Sequence, residues 1–165
     1  MKTLPALALA ATLAIAAPIH AAPKSPATAP LATPFGEWSL DTSRLPIPPE
    51  ARPKHVTIIF KDAGANRVTT DVDIVYSDGK EVHSINTTPV DGTPTAITGS
   101  PEADLASLGR PEANVIVMVL AMGGQPGSTR IFTALADGKT MTETVAAYDK
   151  DNRPALRTRY FTRVH

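Results

Sequence analysis

Between residues 35 and 165 the chain reads as one strand–turn–strand cadence with almost no helical interruption. Turn signals recur at Asp78-Gly79-Lys80, Asp91-Gly92, Pro111-Glu112-Ala113-Asn114, Gly123-Gly124, Asp137-Gly138-Lys139 and Asp151-Asn152-Arg153-Pro154. The runs between them are rich in Val, Ile, Thr, Phe and Tyr. Asp-Gly is a strong hairpin signal, because a type I′ turn needs positive φ at both central residues. The cadence predicts strands over residues 35–40, 54–61, 67–77, 80–88, 95–98, 105–110, 115–122, 129–136, 140–148 and 155–164. Pairing that many strands neighbour to neighbour leaves two awkward edges, and closing the sheet removes both. The expected fold is all-β: an antiparallel up-and-down meander of about 8–10 strands closed into a barrel, with a two-sheet β-sandwich as the alternative.

Residues 1–21 read as an export signal. Lys2 supplies the positive start, an Ala- and Leu-rich apolar stretch follows, and Ile19-His20-Ala21 precedes the expected cut. The stretch is shorter than the ~20 residues a membrane span needs, and Pro5 and Pro18 bound it, so no integral span is expected after cleavage. Residues 22–34 are Pro- and Ala-rich without periodicity, and predict a disordered or polyproline-like leader. Residues 35–165 then form a single barrel domain, exported to the periplasm or secreted. Export would permit disulfides, but the chain has no Cys. Sixteen basic residues balance 16 acidic ones. That balance argues against nucleic acid, anionic lipid or an acidic substrate as partner.

Residues 45–53 (LPIPPEARP) hold four prolines and read as a stiff connection over the surface or over one end of the domain. Along the second strand Val56, Ile58 and Phe60 share one face. Along the third, Val68, Val72, Ile74 and Tyr76 alternate with Arg67, Thr69, Asp71 and Asp73, the pattern of a half-wet antiparallel strand. Residues 115–122 (VIVMVLAM) are apolar on both faces, so they are buried on both sides or line a cavity. Val72, Ile74, Tyr76, Met118, Leu120 and Phe132 are the candidate lining of such a cavity, with core packing as the plainer reading of the same residues.

Signals for chemistry are sparse. His55 and His83 could meet across strands, but a zinc site wants three or four ligands, so no metal is expected. Asp71 and Asp73 share a strand face with Arg67 and Thr69, which reads as solvated. No G-x-S-x-G elbow and no phosphate-binding loop occurs, so neither an enzyme nor a cofactor is expected. Arg157, Arg159 and Arg163, with Phe161 and Tyr160 nearby, form a basic stripe on the last strand. It reads either as a grip for an anionic headgroup or, more plainly, as a charged outer face that resists edge pairing.

Gly36-Glu37-Trp38, opening the first strand, resembles the G-x-W signature of lipocalins. That resemblance implies that Trp38 packs at the closed end of the barrel under an Arg from a late strand, a cation–π contact. Arg157, Arg159 and Arg163 are the possible partners; alternation does not choose among them, and Arg159 is taken as the candidate. The stretches Thr98-Gly99-Ser100-Pro101-Glu102-Ala103-Asp104, Ser107-Leu108-Gly109-Arg110 and Ala136-Asp137-Gly138-Lys139-Thr140-Met141-Thr142 are similar to a group of uncharacterised secreted bacterial proteins with lipocalin-like barrels. The resemblance implies binding of a small apolar ligand.

The first functional expectation is therefore an exported binding module for a small apolar ligand. The second is an envelope or secreted protein–protein module without a cavity, working as a homodimer or with an envelope protein. An outer-membrane barrel fits less well: its strands need an outward apolar band and aromatic girdles, whereas the chain has only 4 Phe, 3 Tyr and 1 Trp.

Overall fold

The computed structural model describes residues 32–164. The expected export signal at 1–21 and the leader up to residue 31 lie outside the described residues. Ten antiparallel strands follow in chain order: β1 Gly36–Leu40, β2 His55–Asp62, β3 Arg67–Val75, β4 Glu81–Pro89, β5 Thr95–Ala96, β6 Leu105–Glu112, β7 Val115–Met122, β8 Gln125–Ala134, β9 Thr140–Tyr148 and β10 Pro154–Arg163. Two single 3-10 turns, Thr42–Arg44 and Pro49–Ala51, lie between β1 and β2.

Every strand pairs with its chain neighbour except β4 with β5. The first and last strands pair with each other, Trp38 opposite Arg163 and Leu40 opposite Phe161. Between β4 and β5 the ladder thins to single bridges, Ile85 with Thr98 and Asp91 with Gly109. The sheet is thus a nearly closed up-and-down barrel rather than a sandwich. Gly99 sits at the thin seam with φ +80, and a β-carbon there would run into the His83 carbonyl oxygen. Glycine is therefore required for β4 and the β5 segment to approach.

The hairpins form for a different reason than the Asp-Gly pairs suggest. At Asp78-Gly79 and Asp137-Gly138 only the glycine has positive φ (+89 and +66). Gly79 N–H donates to the Tyr76 carbonyl at 3.0 Å and Tyr76 N–H to the Lys80 carbonyl at 2.9 Å. This is a three-residue loop with a left-handed glycine, not a type I′ turn. The aspartates add side-chain caps: Asp78 Oδ1 accepts from Lys80 N–H at 2.9 Å, and Asp137 Oδ1 from Lys139 N–H at 2.8 Å. The two-residue turn with positive φ at both positions is Gly123-Gly124, where Met122 pairs directly with Gln125. Strand β8 consequently starts at Gln125, earlier than the expected residue 129.

Side chains alternate as a barrel requires. The lower interior is packed solid by Trp38, Phe60, Val68, Leu108, Ile116, Phe132, Met141 and Phe161. Phe60 and Phe132 meet edge to face with ring centroids 5.0 Å apart. Fully burying such a side chain contributes about 1.5–3 kcal/mol. The packed domain reaches above the expected start at residue 35. Pro34 is fully buried, and its carbonyl accepts a 2.7 Å hydrogen bond from Trp38 Nε1. Residues 32–34, expected in a disordered leader, instead belong to the floor of the barrel.

Candidate functional site

Strand direction separates a floor from a mouth. The floor lies where β1 begins and β10 ends. Arg163, not Arg159, covers the Trp38 ring there, with its guanidinium carbon 4.1 Å from the ring centroid. Its nitrogens donate to three carbonyls, those of Gly138, Phe35 and Thr33, each at 2.7 Å. Gly36 makes the arrangement possible, because a β-carbon there would strike the Arg163 guanidinium. Arg159 cannot take this part: it sits higher in β10, opposite Glu143, while register places Arg163 opposite Trp38.

Above the floor the interior opens into a cavity of about 500 Å³. That lies within the roughly 300–1,000 Å³ of ordinary small-molecule sites. All six residues expected to line a cavity do so: Val72, Ile74 and Tyr76 from β3 and its end, Met118 and Leu120 from β7, and Phe132 from β8. Sequence reasoning missed other lining residues. Val56 and Ile58 add to the β2–β3 side, and Asn86 and Thr70 supply polar atoms lower down. Asn86 Nδ2 donates to Thr88 Oγ1 at 2.5 Å, which in turn meets Thr95 Oγ1 at 2.6 Å. Thr70 Oγ1 is buried without a hydrogen-bond partner in the protein.

The Pro-rich connection crosses the mouth. Leu45, Pro46, Ile47 and Pro53 all line the cavity. The strap is tied to the barrel wall at its start and braced within itself. Arg44 stacks on the Tyr160 ring, 3.3 Å from guanidinium carbon to centroid. Arg52 Nε donates to the Ile47 carbonyl at 3.0 Å. Stiff prolines and these two contacts hold apolar side chains over the opening.

The basic row of β10 departs most from expectation. Instead of an outer face resisting edge pairing, it faces inward, with Phe161 buried and Arg157 and Arg159 lining the cavity. Strand β10 is paired on both sides, so it has no edge to protect. Its arginines are drawn inward by Glu143 on β9, which is 1% exposed. Arg159 Nη1 lies 3.2 Å from Glu143 Oε2, and Arg130 Nη1 lies 3.4 Å from Oε1. Arg130 also pairs with Glu102 from the β5–β6 loop. Two guanidinium groups offset the cost of burying this carboxylate, which would be severe for a lone one. The sequence carried a trace of this: Met141, Glu143 and Val145 form one row of β9 while Thr140, Thr142 and Thr144 form the other. An acidic residue inside the apolar row of a strand needs a partner.

Outside the barrel, His55 and His83 do not meet, because β3 runs between their strands. His55 instead contacts Thr57. His83 Nδ1 lies 2.8 Å from Asp73 Oδ1 and 3.4 Å from Asp71 Oδ1. The hydrogen bond to Asp73 holds the His83 pKa above its ordinary value, with the charges of Asp73 and Asp71 adding to it. Lys61 Nζ is 3.7 Å from Asp71 Oδ2, so this cluster on the outer wall is a set of ion pairs within itself.

No helix among the described residues is long and apolar enough to cross a membrane. No protein-family model, curated protein or solved structure matches the chain. The barrel is compatible with a lipocalin-like architecture, and the likeness stands on its shape and on the Gly36–Trp38–Arg163 floor.

Proposed function

We propose that the protein is an exported binding module that holds a small, largely apolar ligand inside its barrel and does no chemistry on it. The observation that carries this reading is the cavity of about 500 Å³ above a solid floor, walled on the β2–β3 and β7 sides by apolar side chains. Water in such a space finds few hydrogen bonds, so an apolar solute that displaces it gains affinity. The reading as a binder rather than a catalyst rests on the lining. Among the described residues it includes no histidine, and Glu143 is engaged by two arginines. Export rests on the character of residues 1–21.

A second reading, a protein–protein module, is favoured by one observation on the outer wall. Leu156, Tyr148 and Val119 are 75%, 70% and 48% exposed and border a shallow apolar groove. Native mass spectrometry of detergent-free mature protein separates the two. A monomer carrying an adduct of a few hundred daltons, released on unfolding, is expected. A bare dimer with no adduct would overturn copurification of a ligand and favour the interface reading.

A further inference from the structure

The cavity has two unlike walls. In a ten-stranded ring, β3 and β8 are half a circuit apart, so apolar β3 faces Arg130 on β8 across the lumen, and β9 and β10 continue the polar side from β8. On the β8–β10 side three arginines, Arg130, Arg157 and Arg159, meet only two glutamates, Glu102 and Glu143. The glutamates are occupied: Glu143 by Arg130 and Arg159, and Glu102 by Arg130. Arg157 has no carboxylate within ion-pairing distance among the described residues. Asp149 in the β9–β10 turn feels its charge, but Arg153 already holds that carboxylate at 3.0 Å. The lumen thus keeps one positive charge in excess, placed above Arg159 on the same inward row and nearer the mouth.

We propose that the ligand is a single-tailed amphiphile with one anionic head, the head set against Arg157 and Arg159 and the tail laid along Val72, Ile74 and Met118. The inference rests on the binding reading above and adds the chemistry of the ligand. A guanidinium beside a low-dielectric lumen attracts a carboxylate-type oxygen more strongly than it would in water. A neutral head gains little there, because the Glu143 network is already satisfied internally. A cationic head meets the surplus charge and is repelled. One surplus charge matches one negative charge on the head.

The test uses three probes that share a ten-carbon tail: decanoate, decan-1-ol and decyltrimethylammonium. Each is titrated calorimetrically into the mature protein at neutral pH. Decanoate is expected to bind about tenfold more tightly than decan-1-ol, with decyltrimethylammonium weakest, on the scale of one charge-assisted hydrogen bond. Arg157→Gln, at an exposed position without an ion-pair partner, is expected to remove the decanoate preference, so that decanoate binds no more tightly than decan-1-ol. Circular dichroism verifies its fold, and Arg157→Lys is expected to restore part of the preference. Equal binding of decanoate and decan-1-ol, or preference for the cation, would overturn the head-group assignment while leaving an apolar-ligand module standing. Retention of the preference by Arg157→Gln would overturn the role of Arg157. Binding of none of the three would remove the binding reading itself.

Discussion

At the floor of the barrel Arg163 is enclosed by what the chain already has: three backbone carbonyls, the Trp38 ring and the space left by Gly36. Two steps up the same inward row, Arg159 and then Arg157 stand in a lumen that the chain leaves unfilled. The floor satisfies a cation with neutral dipoles and a π-face, and half-buries it at the edge of a packed layer. The mouth satisfies its cations with carboxylates that are one charge short. The same residue type on one strand therefore serves closure at one end and recognition at the other, and what decides is whether its neighbours complete its bonding.

That contrast is open to direct attack, and the largest effect is expected from truncation. Phe60→Ala at the floor should cost about 3–5 kcal/mol, because it opens a hole beneath Phe132 in a layer with no slack. Ile74→Ala in the lumen enlarges an existing space and should cost about 1 kcal/mol. Urea unfolding of the two variants measures the difference, and equal losses would mean that the upper barrel packs as tightly as the floor.

A smaller difference should separate the two arginines. Arg163→Met leaves three carbonyls short of a donor and should lower stability by about 2–3 kcal/mol, discounted because part of that site reaches water. Arg159→Met leaves Glu143 with Arg130 still in place, and should lower it by about 1–2 kcal/mol, since Arg159 is itself 28% exposed. Should Arg159→Met prove the costlier, the ion network and not the floor would be the main brace of β10.

The smallest effect belongs to the outer wall. His83 is held in its charged form by Asp73, so its folded pKa lies above its unfolded one. The linked stabilisation is fully present below about pH 6.5 and is lost as pH rises through the folded value. NMR titration should place His83 above the ordinary histidine value, and Asp73→Asn should bring it down. A His83 that titrates at an ordinary value in the wild-type protein would show that this pair does not persist in solution.

How legible all this was follows from where each signal lives. Strand β3 was readable because Val68, Val72 and Ile74 alternate with Arg67, Thr69, Asp71 and Asp73, and a half-wet strand declares its inward row. The lining of the lumen at Val72 and Ile74 was readable for the same reason, whereas Met118 and Leu120 stood out because β7 is apolar on both faces. Strand β10 was not, because both its rows mix apolar and polar residues. Hydrophobicity alone would send Leu156, Thr158 and Tyr160 inward. The reverse occurs because Glu143 on one neighbour and Trp38 on the other need the arginines. Such a choice depends on strands far off in sequence. The register that selects Arg163 over Arg159 is likewise a property of the β1–β10 pairing and of no local pattern.

That same pairing has a consequence for how the molecule comes into being. The floor needs Gly36 and Trp38 from the first strand and Arg163 from the last, joined through contacts such as Val164 N–H to the Glu37 carbonyl. Loop-closure entropy across almost the whole domain must be met before these contacts form. A chain emerging N-terminus first, from a ribosome or through a translocation pore, therefore holds an unfinished barrel until its final strand arrives. Folding is withheld to the end of delivery by topology alone.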